Sequence, residues 1–408
     1  MAFDKVPLQN PNPAYRPVQW ITKRVSANTI ARCIATVTVN SNTYTLPAIP
    51  YDSLLSSGTS YYFRIDVQTL VQANMAPITS AISSIFTGFN IPYIALNTDM
   101  FAEVSISVTY LYIDPTTGKL TPLGVTDLSD KVYCLNSTPQ HGEILSYAAY
   151  KPLFNDTEKF WLSQYPTRSK VSLTDNAWLT FISDAGANRI RVTTYDSAGV
   201  QIDTGLFAAT LSSINKPQTV AVGVANLSAQ VYLSGSVSFA NPAVSYYTVQ
   251  LTSSGFPNNP YLQVRRFDIV EPCNAVRLHW LGLLNGAESY TFTMKEKRAI
   301  TVQNSFAQRT LTWDSTAPQN AIGNKGRFKI AAVGTEIREA ISDYLSDADA
   351  IWLRSLLTSP EVYLETPEGL RAVVINTADQ TTKTMDGMQK VQFAINFAMA
   401  VNIISQNN

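Results

Sequence analysis

From Lys159 to Ser253 the sequence is punctuated by short runs rich in β-branched and aromatic residues: KFWL, KVSL, AWLTFIS, RIRVTTYD, VQID, FAATL, TVAVGV, QVYLS and YYTVQLTS. They recur roughly every eight to twelve residues, with turn material such as Asp196-Ser-Ala-Gly199 between them. Such a cadence is what an antiparallel sandwich or barrel produces, and it limits this part of the chain to all-β architecture. Tyr261 to Glu271 continues the pattern and leads into the stretch CNAVRLHWLGLLNGAESYTF, Cys273 to Phe292.

That stretch reads as a hairpin. Val276, Leu278 and Trp280 alternate with Arg277 and His279, the two-residue period of a half-buried strand. Asn285-Gly286 tolerates positive φ at both centres of a tight turn. Tyr290, Phe292 and Met294 then alternate with Thr291 and Thr293. The expected core is Trp280, Phe292 and Cys273, with Arg277 and His279 on the face offered to solvent or a neighbour.

Elsewhere the chain is also strand-rich. Strands are expected at Arg32–Val39, Tyr61–Val67, Phe101–Ile113, Lys119–Leu123 and Lys131–Leu135, with Asp114-Pro-Thr-Thr-Gly118 as a turn. A short helix is expected from Val67 to about Ala73, capped by Asp66. His141 to Tyr150 reads as a loop crossing between domains. Pro11, Pro13 and Pro17 forbid regular structure near the start, leaving either a disordered tail or an arm that lies across a neighbouring subunit. Towards the other end, Glu336–Tyr344 reads as a helix with Ile337, Ala340, Ile341 and Tyr344 on one face. Ser346-Asp-Ala-Asp349 is a capping box for a second helix that buries Ile351, Trp352, Leu356 and Leu357 and stops at Ser359-Pro360. Strands at Val362–Glu365, Arg371–Ile375 and Val391–Val401 follow. The expected fold is mainly β: antiparallel β-sandwich domains, Ig-like or jelly-roll-like, with a small C-terminal α+β domain. The expected division is an extended arm over 1–20, a β-rich domain over 21–140, a central sandwich over 141–295 and the α+β domain over 296–408.

Charge narrows the function classes. Only 15% of the residues are charged, against about 25% in a typical soluble domain, and Lys+Arg and Asp+Glu are both 30. With no basic excess there is no electrostatic footprint for nucleic acid. The weakly charged, amide-rich surface resists association poorly, which fits a chain surrounded by partners. The most apolar run, Phe393–Ile404, is too short to span a bilayer and is broken by Asn396 and Asn402, so no membrane segment is expected. No secretory signal is visible at the start, and synthesis in the cytosol is expected. Cys33, Cys134 and Cys273 are odd in number and far apart, which reads as buried free thiols. The sequons at Asn136, Asn155 and Asn226 are no more than chance in so polar a chain.

The sequence holds few candidates for chemistry. His141 and His279 are the two histidines, and no CxxC, HExxH or HxH accompanies them. No Walker A loop, GxGxxG or GxSxG is present. Asp203-Thr204-Gly205 matches the core of an aspartic protease loop, but that chemistry needs a second carboxylate from another copy, and a strand end with a turn explains the string as well. Asp347 and Asp349 invite a calcium reading that the helix cap already explains. The expectation is therefore no catalytic, metal or cofactor-binding residues, no cofactor and no enzyme.

Three phrases resemble structural proteins of tailed bacteriophages, particularly those infecting Bacteroidota. They are Cys273 with Trp280-Leu281, Asn285-Gly286 and Tyr290-Thr-Phe292; YYFRIDV followed by a short helix at 61–73; and WLRSLLTSPEVYLE at 352–365. The resemblance implies a virion component of the tail, baseplate or neck, made in the host cytoplasm, forming homo-oligomers and binding other virion proteins. The alternative is a tail-fibre or adhesin module for a host surface glycan or receptor. An enzyme, either a depolymerase or a dimeric aspartic protease, is the third reading.

Overall fold

The computed structural model describes residues 3–5, 12–14, 18–56, 58–75, 94–96, 101–135, 161–163, 168–182, 188–208, 217–253, 264–271, 275–284, 286–308, 312–313, 318–319, 327–359, 361–385, 388–400 and 403–404. The chain is mainly β, in several antiparallel sheets, as the sequence pattern requires. By internal contacts it divides into two units, Met1–Glu271 with Leu281–Ser289, and Pro272–Trp280 with Tyr290–Asn408.

The first unit opens with a pair of sheets around one core. One sheet is β1 (Phe3–Lys5), β3 (Gln19–Val25) and β7 (Ser60–Asp66), in the order β1-β3-β7. The other runs β2 (Asn12–Pro13), β11 (Val132–Leu135), β9 (Phe101–Ile113), β4 (Ile30–Val39) and β5 (Asn42–Thr45). β6 (Ile49–Pro50) lies beside β4, and β10 (Leu120–Leu128) beside β9. Trp20, Phe63 and Ile65 share a buried core with Val37, Val104, Ile106, Val108 and Tyr110, and helix α1 (Gln68–Asn74) adds Val71. β9 has the bounds its alternation indicates, with Val104, Ile106, Val108 and Tyr110 all buried. Cys33 and Cys134 are buried free thiols here, and desolvation pushes each up to about 12. Asp66 accepts from the Gln68 amide at 3.0 Å, although the N-cap residue is Val67. In the turn after β9, Asp114 accepts from the Thr116 amide and the Thr117 hydroxyl, each at 2.8 Å, and Gly118 takes φ +65. Those bonds hold the Asp114 carboxyl below its usual range. The described parts of the proline-bearing start lie on the chain's own sheets. β1 pairs with β3, β2 pairs with β11, and Ala14 is buried with its amide on the Leu135 carbonyl at 2.7 Å.

A second sandwich follows in the same unit. Its larger sheet runs β12 (Arg168–Val171), β19 (Arg265–Ile269), β18 (Tyr246–Ser253), β14 (Asn188–Tyr195), β15 (Gln201–Ala208) and β17 (Ser234–Ser236). The smaller runs β13 (Trp178–Ile182), β16 (Pro217–Ala221) and β8 (Ile94–Leu96). Val192, Tyr247, Val249 and Phe267 from one meet Leu179, Phe181 and Val220 from the other, joined by Trp161 and by Val224 and Leu227 of helix α2 (Val224–Ser228). Two expectations need correction. QVYLS is not a strand: Val231 and Leu233 are 82% and 60% exposed, and pairing starts only at Ser234. Nor was α2 foreseen; it starts at Gly223, where a Cβ would lie 2.3 Å from the Ala177 amide nitrogen. A close backbone approach of that kind favours glycine and leaves no periodic signal in the sequence.

The second unit is built on one long sheet. Its order is β21 (Ala287–Phe292), β20 (Val276–Leu281), β26 (Val362–Thr366), β27 (Gly369–Met385), β28 (Met388–Met399), β25 (Arg327–Ile341) and β22 (Lys295–Gln308), with β29 (Ile403–Ile404) beside β25. β23 (Thr312–Trp313) and β24 (Pro318–Gln319) pair separately. Helices α3 (Asp347–Leu353) and α4 (Ser355–Thr358) meet the sheet through its aromatics. The Trp280 ring lies 5.2 Å from that of Trp352, and its Nε1 donates to Ser355 Oγ at 2.9 Å. The capping box forms as expected: the Asp349 amide donates to Ser346 Oγ, and the Ser346 amide to Asp349 Oδ2. The buried stripe is Trp352, Leu353 and Leu356, whereas Ile351 is 56% exposed and Leu357 is also exposed. So short a helix pair offers one face, and Ile351 lies outside it.

The helix expected over Glu336–Tyr344 is a correction too. Those residues carry helix formers at helical spacing, yet Glu336–Ile341 lies within β25. Ile337–Ile341 pairs with β28 on one side while the whole of β25 pairs with β22 on the other. Two ladders of backbone hydrogen bonds override a local preference worth tenths of a kcal/mol per residue.

Candidate assembly surface

His279 is completely buried, and its Nε2 lies 2.6 Å from Glu365 Oε2 on β26. Arg277 Nε is 3.3 Å from the same oxygen, and its Nη1 donates to Thr291 Oγ1 at 2.6 Å. The face expected to meet solvent or a neighbour is therefore buried within the chain itself. Alternation separates the two faces of a strand but does not say whether one or both are covered. Taking the charges out of water is costly, and Glu365 with Arg277 and His279 answers that cost locally. Beside them, burial pushes the Glu361 carboxyl up while the Tyr363 hydroxyl, donating at 2.8 Å, opposes the shift. A general base must reach its substrate, and in this structure His279 has no exposed surface.

Two of the remaining candidates, the Asp203-Thr204-Gly205 string and Asn226, have structural roles. Asp203-Thr204-Gly205 lies mid-strand in β15 and not at a turn, paired through Thr204 to Thr193 and through Gly205 to Val192. A Cβ on Gly205 would sit 2.4 Å from the Tyr232 ring, so the glycine makes room for an aromatic. Asn226 is buried, and its Oδ1 accepts from the Ala177 amide at 3.2 Å, which leaves this sequon no access. Among the described residues no three His, Cys, Asp or Glu side chains gather as a metal site, and no helix is long and apolar enough to cross a membrane. His141, Cys273, Asn136, Asn155 and Asn285 lie outside the described residues, as does the side chain of Asp347.

On the outward face of the six-stranded sheet, Tyr195 and Tyr246 stack at 4.8 Å, and the Arg266 guanidinium covers Tyr246 at 3.5 Å. Asp268 accepts from Arg266 at 2.8 Å and also pairs with Arg168. This is a polar platform with aromatic content.

Among the described residues β22 offers a long open edge. It ends its sheet, and no described strand pairs with its outer edge. Its sequence, KEKRAITVQNSFAQ, holds four charged residues in its first four positions and none in the ten that follow. Ile300, Val302 and Phe306 are 62%, 48% and 46% exposed. At the charged end, Glu296 accepts from Arg298 at 2.7 Å and from Arg338 at 3.2 Å, and Arg338 also bonds Glu336 at 2.9 Å. These bonds raise the Arg298 pKa, chiefly through Glu296. From Ala332 back to Arg327 the ribbon of β22 and β25 has no described strand on either side. The register shifts between Ser305 and Phe306 because Ile330 on β25 is extra, so β22 itself stays regular. A long regular edge carrying apolar side chains is a template for another strand. The signal was present in the sequence as Ile300, Val302 and Phe306 among small polar residues, between two stronger patterns.

No family model and no curated protein matches the chain. One similar solved structure comes from the tail of an empty GTA particle, refined helically with C6 symmetry. It is 12% identical, covers 33% of this chain and 95% of that one, and gives a TM-score of 0.19. A likeness at that level says nothing of function.

Proposed function

We propose that the chain is a non-enzymatic structural component of a tailed-phage virion, made in the host cytoplasm and assembling with copies of itself and with other tail, baseplate or neck proteins. The observation that carries the reading is the open edge of β22, fourteen residues long and uncharged over most of its length. It is supported by the phrases at 61–73, 273–292 and 352–365 that resemble such proteins, and by a surface with few charges to oppose association. Mass spectrometry of purified particles tests it: the chain is expected among the virion proteins, and its absence from particles overturns the reading.

A second reading is favoured by the stacked Tyr195, Tyr246 and Arg266 on the outward face of the six-stranded sheet: a receptor- or glycan-binding module. It predicts that the isolated protein binds host cells and is displaced by surface polysaccharide. It fails if no binding occurs, or if Tyr246→Ala binds as well as the parent chain.

A further inference from the structure

We propose that β22 pairs antiparallel with β22 of a second copy, across a two-fold axis through Thr301. This rests on the assembly reading above and names its partner. The first argument is charge. Lys295–Arg298 holds every charge of the strand and Ala299–Gln308 holds none. Antiparallel self-pairing about Thr301 sets each charged end against the uncharged end of the other copy, Arg298 opposite Asn304 and Lys297 opposite Ser305. No like charges face each other, whereas a register centred on Lys297 would place two lysines together.

The second argument is side-chain matching. In the same register Ile300 lies opposite Val302 twice, once on each side of the axis, and Thr301 faces Thr301. Ile300 and Val302 are the two most exposed apolar side chains of β22, and pairs of β-branched residues across strands are stabilising. A two-fold normal to the sheet keeps even-numbered residues on one face in both copies. A slip of one residue would set even against odd and turn every side chain to the wrong face. The third argument is the ribbon itself. Past Val302 and Val333 it has two described strands only, a marginal arrangement in water, and in this register Lys295–Arg298 of the second copy would lie beside Asn304–Ala307. The contact is isologous, so it closes at two copies through this edge.

Single cysteines under mild oxidation read the register. Thr301→Cys is expected to give a disulfide-linked dimer, because facing residues of antiparallel strands have Cα separations of about 4.5–5.5 Å. Val302→Cys is expected to cross-link only when mixed with Ile300→Cys. With Cys273→Ser as the common background, the parent chain, whose described thiols Cys33 and Cys134 are buried, and Leu128→Cys on the exposed face of β10 are expected to stay monomeric on non-reducing gels. A second measurement is self-association by sedimentation, where Ile300→Lys is expected to weaken dimerisation at least tenfold with an unchanged circular dichroism spectrum. Equal cross-linking at 301 and 128, or none at 301 in folded protein, overturns the pairing. If the chain is in particles but Thr301→Cys does not cross-link, the pairing falls and the virion reading stands. A cross-link in a chain absent from particles removes the virion reading and keeps the pairing.

Discussion

β10 and β22 are both long strands that pair with one described neighbour only, β9 and β25 respectively, and they are built in opposite ways. β10 carries Pro122, which has no amide hydrogen to offer a new strand, and Gly124 at φ +76 within an irregular stretch between Pro122 and Thr126. Its exposed Leu120 and Leu128 therefore stand on a broken edge. β22 has no proline, no glycine and no irregularity of its own. Both strands show apolar side chains to solvent, so exposed hydrophobicity does not distinguish them. Backbone regularity does, and it makes one edge closed to strand addition and the other open.

The contrast supposes that the sheet bearing β22 is a rigid platform. Trp280→Ala tests this with the largest effect: a loss of about 3–5 kcal/mol in denaturant unfolding, from the packing on Trp352 and the bond to Ser355. A variant as stable as the parent would mean the sheet behind β22 is loosely held. Alkali probes the other side of the comparison. Cys33 and Cys134 belong to the core behind β10, and their thiols are raised from 9.0 to about 12 by burial. Between those values the unfolded chain releases protons that the folded chain keeps, so stability falls as pH rises from about 9 toward about 12. Urea midpoints measured at pH 8 and pH 10.5 should drop accordingly, and a flat profile would show that the thiols are solvated.

Smaller effects address the edges directly. Gly124→Ala forces a side chain into the left-handed region and is expected to cost about 1–2 kcal/mol, although nothing lies within 4 Å of the new Cβ. No loss on calorimetry would mean that β10 has room to straighten, and the contrast with β22 would weaken. The smallest change in stability comes from paired lysines. Val302→Lys and Leu128→Lys are each expected within about 0.5 kcal/mol of the parent. Only Val302→Lys should abolish self-association in sedimentation; loss from both would show general surface stickiness.

How much of this could be read in advance depended on the range of the forces involved. Phe101–Ile113 was legible because nine of its residues, from Ala102 to Tyr110, keep one period, and the Ser346–Asp349 cap because its partners are three residues apart. The burial of His279 was not legible, since its partner Glu365 lies 86 residues away and alternation is silent on what covers a face. Nor was β25, where Ile337, Ala340 and Ile341 imitate a helical stripe until two neighbouring strands claim the backbone. β22 escaped notice for the same reason that it matters. It lacks the strong alternation of a strand already covered on one side.

The hairpin from Val276 to Phe292 has a consequence for the order of events during synthesis. Its tip, Leu281–Ser289, belongs with Met1–Glu271, where Glu288 accepts from Ser163 at 2.9 Å and Gly286 passes so close to the Leu162 carbonyl that a Cβ would lie 1.6 Å from its oxygen. The first unit therefore remains incomplete when residue 271 leaves the ribosome. At roughly 5–20 residues per second it waits on the order of one to a few seconds for the tip to follow. During that interval Ser163 lacks its carboxylate partner, and a chain stopped short of residue 288 would stay in that state.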